Sequence, residues 1–425
     1  MKPSPLKILV ISHVPIDSAY GTGTSLRLHF EALEQTGQYE FELICQKPII
    51  HGDRTKISDK DIKKTWPSIK NIKHVIMPYR FNYDGVSHRV DHSFRTRLHR
   101  AISLIRWNML TNTINRFNPH IIHLSSLVLA PLASWFKYHM DMPTVPVVGH
   151  VRELLAKPLS VNEIHEIQSL DMLICIDCAA KSRLLDVMNG AVGDDRVAVV
   201  QNPFRSSLAS PDPELFGGID LNSTTVFAIA GDVSRDKGVK KVCEDFLKAN
   251  LARAVLLVVG RCTGTYGEEV KKLCNNNLGK LLWIGQHPNL IDRGFFNGLD
   301  VIVRGDAMFR TGRTVYEALF SGANVLLPGD KTDLDNDPDL AVFRNQVFLY
   351  KPMDSASLIY AYKSFATEFP KMFSARVKPS QTDNNFDIYS RQIRECYDQA
   401  FDRKPYSARS GTPHVLNRDA AKISI

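Results

Sequence analysis

Positively charged side chains follow two apolar segments in the second half of the 425-residue chain. Arg235 and Lys237 come after the first glycine of GDVSRDKG, and Arg261 follows the glycine of VVGRCTG. Free N–H groups at a helix N-terminus already attract anions, and cations beside them strengthen that attraction. These residue types and spacings predict a site for a diphosphate group. For the first stretch, an ordinary exposed turn with a capping Asp is the alternative.

A third stretch, RGDAMFRTGRTVYEALFSG at 304–322, has one acid in a predicted helix that starts at about Gly312. Arg313 and Thr314 lie in the first turn, where backbone N–H groups have no partner within the helix. Glu317 follows one turn later, and a carboxylate there can accept hydrogen bonds from both hydroxyls of a ribose. The stretch therefore offers an acid that is able to bind a diol such as a ribose, beside a second anion-binding helix end.

Short β-branched or Leu-rich runs, each ending in Gly or a polar residue, alternate with helical spacing in both halves of the chain. This alternation predicts parallel sheets covered by helices on both faces. KILVIS at 7–12 is the first strand, and a segment rich in Pro, Ser and Gly at 203–218 separates the halves. We therefore expect an α/β protein of two doubly wound, Rossmann-like domains.

The expected N-terminal domain covers 1–205 and the C-terminal domain covers 206–382. An amphipathic helix over 383–403 is expected to pack back on the N-terminal domain, followed by a mobile tail at 404–425. Ligands of open α/β sheets bind beyond the carboxyl ends of the strands. Two such domains are expected to face each other across a cleft, so polar residues just after strands are the candidates.

Composition narrows the class of protein. The chain is 44% hydrophobic and 23% charged, which is typical of a globular protein. No apolar run approaches the ~20 residues of a membrane-spanning helix. Seven scattered cysteines fit free thiols in a reducing compartment, and the CxxC at Cys175 and Cys178 lacks the second pair of a zinc ribbon. We expect a cytoplasmic protein.

The net charge of +8 arises within residues 51–110, which hold 13 Lys and Arg against five Asp. Aromatic residues accompany these cations: Trp66, Tyr79, Phe81, Tyr83, Phe94 and Trp107. Such a patch suits an anionic membrane surface, a lipid phosphate or a nucleic acid. A solvated basic face over core aromatics is an equally good interpretation. Because no known nucleic-acid-binding motif accompanies the patch, we do not expect nucleic acid as a partner.

In their order and spacing, these stretches resemble a known family. The chain is similar to glycosyltransferases of the GT-B fold and most resembles glycosyltransferase family 4. The resemblance covers most of the chain, through YGTGTS, VVGHVREL, QNPF, SRDKG, the VVG strand and GRTVYEALFSGANVLLPG. It implies a retaining transfer of sugar from a nucleotide-sugar donor to a cell-surface glycan or lipid-linked acceptor. It also implies that no cofactor, and usually no metal, takes part.

The resemblance assigns donor-binding roles by position. Gly21 and Gly23 would bring backbone N–H groups to the diphosphate, and Lys237 matches a phosphate ligand. Glu317 matches the second acid of a Glu-x7-Glu motif, which binds the ribose. The predicted diphosphate site is completed by Arg235, Arg261, Gly312, Arg313 and Thr314.

The resemblance also points to a catalytic region in the N-terminal half. His150, at the end of a predicted strand, matches a histidine that contacts the transferred sugar. Glu153 lies close enough in sequence to orient His150 or to hold the acceptor. His13 and His123 also end predicted strands, and each is equally consistent with a core histidine.

Three departures from the family pattern alter these expectations. Asp232 stands where the family often has an arginine, so Arg235 is expected to take over that role. Phe309 replaces the first acid of Glu-x7-Glu, which usually contacts the sugar, so sugar recognition must differ. Asp306 is the expected substitute as a sugar ligand. Of the usual Gly-Phe-Gly run only Gly312 remains.

Two other functions and one other site stay open. The Phe309 substitution motivates a non-catalytic partner protein of the same fold, and a sugar-nucleotide epimerase can share the fold. DKTDLDNDPDL at 330–340 holds several DxD triplets, but it lacks the glycine and terminal glutamate of an EF-hand. We predict a solvated loop there and no metal site, because cations and helix ends could stabilise the leaving diphosphate.

Overall fold

The structure is a computed structural model of the chain. It describes residues 4–403 apart from 17–20, 47–57, 76–110, 141, 143, 153–154, 156–157, 205–208, 263, 288–289, 336, 338–339 and 369–384. The chain divides into two compact units. Unit 1 comprises Met1–Pro203 and the segment from Phe386 onward, and unit 2 comprises Phe204–Asn385.

Unit 1 is built on one parallel sheet. Its strands are β1 (Leu6–Ser12), β2 (Tyr39–Gln46), β3 (Ile69–Val75), β4 (Ile121–Leu124), β5 (Val147–Val151), β6 (Met172–Cys175) and β7 (Val197–Val199). The helices between them are α1 (Gly21–Glu34), α2 (Asp59–Thr65), α3 (111–117), α4 (Pro131–His139), α5 (Val161–Gln168) and α6 (Cys178–Met188). The strand order is β3-β2-β1-β4-β5-β6-β7.

Unit 2 repeats this plan with six parallel strands. They are β8 (Thr225–Ala230), β9 (Ala254–Val259), β10 (Leu281–Gly285), β11 (Val301–Val303), β12 (Asn324–Pro328) and β13 (Val347–Tyr350). The helices are α7 (Val239–Ala249), α8 (Gly264–Asn275), α9 (Arg313–Phe320), α10 (Lys331–Asp335) and α11 (Ser355–Glu368). The order β10-β9-β8-β11-β12-β13 reverses between β8 and β11, which is where such sheets bind ligands.

Each sheet is buried on both faces, which explains the continuous apolar runs of its central strands. In β1, Leu9 and Ile11 pack into one core while Ile8 and Val10 pack into another. The edge strand β3 is buried only at Ile69 and Val75 and in part at Ile72, so it carries too little apolar signal to be predicted from the sequence. The doubly wound α/β class predicted from the sequence is confirmed.

A last helix, α12 (Asn385–Asp402), belongs to unit 1. Tyr389, Ile393 and Tyr397 lie fully buried in the same core as β1 and α1. In the segment that separates the two halves of the sequence, Leu215 and Phe216 pack into the core of unit 2. Among the helices that the structure describes, none is long and apolar enough to cross a membrane.

Candidate functional site

The carboxyl ends of β8 and β11 border a small cavity of about 30 Å³ in unit 2. It lies where the strand order reverses, so it occupies the position at which open α/β sheets bind ligands. The residues around it come from the ends of β8, β9 and β11, from the turn between β8 and α7, and from the start of α7. They are Ile229, Ala230, Gly231, Asp232, Val233, Lys237, Val239, Val259, Arg304 and Gly305.

Two glycines bring the turn before α7 against the end of β11. Gly238 has φ +60°, and a Cβ there would lie 2.0 Å from the carbonyl oxygen of Gly305. A Cβ on Gly305 would in turn lie 2.7 Å from the carbonyl oxygen of Lys237. Only glycine permits this approach in both places. The approach holds Lys237 beside the residues that follow β11.

Asp306 lies between two cations at this strand end. Its Oδ1 is 3.2 Å from Lys237 Nζ, and its Oδ2 accepts a hydrogen bond of 2.9 Å from Arg304 Nε. Burial lowers the pKa of Lys237, nearby Arg310 lowers it further, and Asp306 opposes both. The lowered pKa means that Asp306 does not fully offset burial and the neighbouring positive charge. A bound anion would therefore be stabilised by the charge of Lys237.

Arg304 also connects this cluster to the start of α9. Its Nη1 lies 3.4 Å from the position that a Cβ would take on Gly312, the residue that precedes α9. Gly312 makes no side-chain cap to the first turn. Arg313 and Thr314 stand in that turn, as the sequence predicts. The Lys237 turn and the N-terminus of α9 are thus parts of one cluster in unit 2.

Glu317 is buried in the second turn of α9, with 7% of its side chain exposed. Its Oε1 accepts a hydrogen bond of 2.5 Å from Nε of Arg313, one turn earlier in the helix. Burial raises the pKa of Glu317, while Arg313 lowers it. A buried carboxylate whose partner is a partly exposed arginine keeps acceptor capacity for further hydroxyl groups.

The third predicted cation, Arg261, follows β9 and reaches the end of β8. Its Nε is 3.5 Å from Oδ1 of Asp232, and a Cβ on Gly260 would lie 1.6 Å from the carbonyl oxygen of Gly231. The two glycine-bearing strand ends are therefore packed backbone to backbone. The Arg235 guanidinium lies 5.9 Å from the ring centroid of Tyr266 on α8.

In unit 1, the two glycines that the resemblance assigns to the diphosphate site begin a helix. Gly21 and Gly23 lie in the first turn of α1. Glu153 lies outside the described residues.

His150 is the penultimate residue of β5 and is fully buried. Its Nδ1 is 3.3 Å from His123 Nε2, and Nη2 of Arg152 donates to the same Nδ1 at 3.3 Å. Among the described residues, His150 Nε2 has no hydrogen-bond partner. His123 is itself buried and bonds Tyr397 of α12 at 2.8 Å, so its side chain is satisfied within the core.

Comparison with known proteins identifies solved structures that share the fold of this chain. No protein-family model and no curated protein matches the chain. Solved structures do match, and HepE of Anabaena, in complex with UDP, is 13% identical with a TM-score of 0.64. The match covers 92% of this chain and 100% of HepE.

Two further structures match over similar lengths. Sucrose-phosphate synthase of Thermosynechococcus elongatus is 14% identical with a TM-score of 0.61, over 93% of this chain and 99% of its own. The lipopolysaccharide outer core galactosyltransferase WaaB is 15% identical with a TM-score of 0.57, over 92% and 99%. This chain has the GT-B fold. At these sequence identities, the comparison shows that the two Rossmann-like units have the same fold, and it shows nothing about the residues of the site.

Two arginines of the GT-B scaffold have positions that sequence reasoning did not assign to a site. Arg304 and Arg310 lie on either side of Phe309 in the sequence, and the structure places both near Lys237. Arg304 immediately follows a strand at the reversal point of the sheet, which is the signal that could have marked it.

Phe309, which replaces the first acid of the family motif, is a packing residue. Its ring is partly buried against the core of unit 2. A Cβ on Gly329, just after β12, would lie 2.6 Å from Phe309 Cδ2 and 3.0 Å from Asp333 Oδ2. The ring therefore covers Gly329 beside the carboxylate of Asp333. A second acid at position 309 would place two negative charges close together.

We expect Phe309→Glu to destabilise unit 2 and not to increase activity, because the new carboxylate would be half-buried next to Asp333. A loss of about 1–3 kcal/mol in the free energy of unfolding is expected. Thermal unfolding of Phe309→Glu, Phe309→Gln and Phe309→Leu measures it. Phe309→Gln should fall between the other two, and a more active or equally stable Phe309→Glu protein would contradict this packing role.

Three carboxylates of the acidic segment at 330–340 form hydrogen bonds with its backbone or an ion pair with a neighbouring arginine. Asp330 and Asp333 each accept a 3.0 Å hydrogen bond from the other's backbone N–H, which caps α10. Asp335 pairs with Arg344 at 2.6 Å. Within the described residues, no group of three or more His, Cys, Asp or Glu is arranged to hold a metal ion.

Proposed function

We propose that this protein is a glycosyltransferase that takes a sugar from a nucleotide-sugar donor. The observation that carries the proposal is the convergence of Lys237, Arg304 and the N-terminus of α9 at the reversal point of the unit 2 sheet, with Glu317 buried one turn further. Cations beside free N–H groups fit a diphosphate, and a buried carboxylate beyond them fits a ribose diol.

The roles follow from the chemistry of each group. Lys237 would bind phosphate oxygens as a point charge, and the first turn of α9 at Arg313 and Thr314 would supply N–H donors. Glu317 would accept hydrogen bonds from the ribose hydroxyls. Asp306 is proposed as a sugar ligand, and its bonds to Lys237 and Arg304 would also hold these cations in place before the donor binds.

In the proposed reaction, the bond between the anomeric carbon and the diphosphate oxygen breaks, and its electron pair leaves with the diphosphate. The acceptor oxygen bonds the anomeric carbon on the same face, and the acceptor proton passes to a leaving phosphate oxygen. Retention is supported by the resemblance to family 4. We propose that the cluster of Lys237, Arg304 and Arg310 neutralises the leaving group in place of a metal ion.

The names of the structural neighbours support the donor class. HepE has been solved with UDP, and WaaB is a galactosyltransferase that acts in the lipopolysaccharide outer core. We extend the proposal to a UDP-linked sugar as the first donor to test. A lipopolysaccharide, capsule or other lipid-linked glycan is the proposed class of acceptor.

Peripheral contact with an anionic membrane is the proposed use of the basic segment at 51–110, most of which lies outside the described residues. Its described part, 58–75, carries Lys63, Lys64 and Lys70 in exposed positions. We expect a variant with Lys63, Lys64, Lys70 and Lys73 changed to Gln to lose most of its co-sedimentation with phosphatidylserine vesicles, at about 1 kcal/mol per charge. Unchanged binding at equal ionic strength would contradict the membrane contact.

Product analysis tests the function directly. The protein is incubated with UDP-, GDP-, dTDP- and ADP-linked hexoses, with and without a lipid-linked oligosaccharide fraction, and the products are identified by mass spectrometry. Release of a nucleoside diphosphate with transfer of the sugar supports the proposal. An isomerised nucleotide-sugar formed without acceptor would instead identify an epimerase. Unchanged substrates throughout would favour the non-catalytic partner.

A further inference from the structure

Three buried polar side chains form a line in unit 1 that ends at His150. The Tyr397 hydroxyl of α12 is 2.8 Å from Nδ1 of His123, and His123 Nε2 is 3.3 Å from Nδ1 of His150. Arg152 approaches the far end of the line, with Nη2 at 3.3 Å from the same Nδ1 of His150. The line therefore joins a helix near the C-terminus of the chain to the predicted sugar-contacting histidine.

Both imidazoles are neutral at physiological pH. Burial and the charge of Arg152 lower the pKa of His123 to about 3, and the same causes hold the pKa of His150 well below its ordinary value. A neutral imidazole has one N–H donor and one acceptor nitrogen. The hydrogen bonds along the line can therefore run in either direction, with the proton of His150 on Nδ1 or on Nε2.

Arg152 selects one of these two directions. Every polar hydrogen of a guanidinium group is a donor, so Nδ1 of His150 must be the acceptor. Arg152 is held in this position because its Nε donates to the backbone oxygen of Ser125 at 2.9 Å and its Nη1 donates to Oδ1 of Asn202 at 2.8 Å. The proton of His150 is then on Nε2.

The rest of the line follows from that acceptor. His123 must donate from Nε2 to His150, since two bare nitrogens facing each other would repel. His123 Nδ1 then accepts from the Tyr397 hydroxyl. Two donors share one lone pair of His150 Nδ1, which agrees with distances of 3.3 Å at the long end of the hydrogen-bonding range.

We propose that Arg152 and Tyr397 are positioning residues that fix the proton of His150 on Nε2, so that His150 meets its substrate as a hydrogen-bond donor and not as a base. His150 Nε2 is buried and has no partner among the described residues, so it is available to an oxygen atom of a ligand. The identity of that oxygen, a sugar hydroxyl or a phosphate oxygen of the donor, rests on the proposed function.

A neighbouring pair supplies a matched control. The Tyr389 hydroxyl is also 2.8 Å from a histidine Nδ1, that of His29, and both tyrosines are buried on α12. The His29 ring packs edge-on against His123, with 4.8 Å between centroids. Within the part of the chain that the structure describes, no hydrogen bond joins His29 to the line, so Tyr389→Phe removes an equivalent hydroxyl without breaking the line.

Ring-nitrogen NMR of the full chain with ¹⁵N-labelled histidine tests the proton position without any activity. Signals are assigned by subtracting the spectra of His123→Gln and His150→Gln. We expect His150 to show a protonated Nε2 and an unprotonated Nδ1. In Arg152→Met, we expect the proton of His150 to be distributed over both nitrogens. Tyr397→Phe should shift His123 Nδ1, whereas Tyr389→Phe should leave His123 and His150 unchanged. A wild-type His150 protonated on Nδ1, or equal effects of the two tyrosine variants, would overturn the proposal.

Donor turnover supplies the second readout once a substrate is known. A glutamine amide can imitate the Nε2–H donor but cannot act as a base. We expect His150→Gln to keep kcat within about tenfold of wild type and His150→Ala to lose about a hundredfold. Tyr397→Phe should lower kcat about tenfold with little change in KM, and Tyr389→Phe should not. Equal losses in His150→Gln and His150→Ala would mean that His150 is a base. If no turnover is found, the proposed function fails and the NMR result still decides the proton position.

Discussion

Replacing Glu317 with glutamine is expected to lower nucleotide-sugar turnover by about a hundredfold or more. A hydrogen bond to a charged group contributes about 1.5–3 kcal/mol, and the ribose would lose two of them. The fold should survive, because Arg313 is 22% exposed and water can solvate it once its partner is neutral. We expect the midpoint of thermal unfolding to fall by no more than about 4 °C.

Modified nucleotides show whether Glu317 acts on the ribose. Wild-type protein should bind a nucleoside diphosphate more tightly than its 2′-deoxy or 3′-deoxy analogue, and Glu317→Gln should bind all three alike. Glu269 is the matched control, since it is an exposed acid of the same unit that pairs with Lys240 at 2.8 Å. Glu269→Gln should behave as wild type. A fully active Glu317→Gln protein would show that the acid of α9 has only a structural role.

Replacing Lys237 with alanine is expected to lower kcat/KM for the donor by about a hundredfold, because a partly buried cation that meets a phosphate contributes about 2–4 kcal/mol. Asp306 would keep its bond of 2.8 Å to Arg304 Nη2, so its carboxylate would not be left without a cation. The loss should therefore appear in donor binding and turnover and not in the secondary structure measured by circular dichroism.

Lys240 controls for the general effect of removing a positive charge near this strand end. It lies three residues after Lys237, in the first turn of α7, and its partner is the exposed Glu269. Lys240→Ala should leave kcat/KM unchanged within about twofold, as expected for a surface pair. Equal losses in the two lysine variants would point to the overall potential of unit 2 and not to a specific contact of Lys237.

The fold class followed from the sequence because its strands are buried on both faces and appear as uninterrupted apolar runs. The helix predicted from about Gly312 is confirmed, with Gly312 preceding Arg313–Phe320. The edge strand Ile69–Val75 was missed because its middle is mostly exposed. The sequence does not mark the start of α1, because the glycines at its beginning favour a loop while the apolar spacing that indicates a helix begins only at Leu26.

The site could be predicted only in part. Lys237 and Glu317 stand out because they follow glycines at the ends of predicted elements. The bonds of Asp306 to Lys237 and Arg304 could not be predicted, because they depend on the contact between Gly238 and Gly305, which are far apart in the chain.

The hydrogen-bonded line from Tyr397 to His150 likewise could not be predicted from the sequence. His123 and His150 are 27 residues apart and Tyr397 lies 274 residues beyond His123, so only the folded unit 1 brings them together. In one sequence His123 and Tyr397 have the signal of ordinary core side chains, and His150 stands out only through the family resemblance. Arg152, which decides the proton position, has no signal beyond its place after a strand.

Thermal unfolding with UDP, GDP, dTDP and ADP, each compared with its nucleoside, tests the central claim most directly. We predict that one of these diphosphates, at about 100 times its dissociation constant, adds about 2.7 kcal/mol and raises the midpoint by several degrees. Its nucleoside should give little shift, and Glu317→Gln and Lys237→Ala should lose most of the effect. The account would be contradicted if no diphosphate stabilised the wild type, or if one stabilised the wild type and both variants equally.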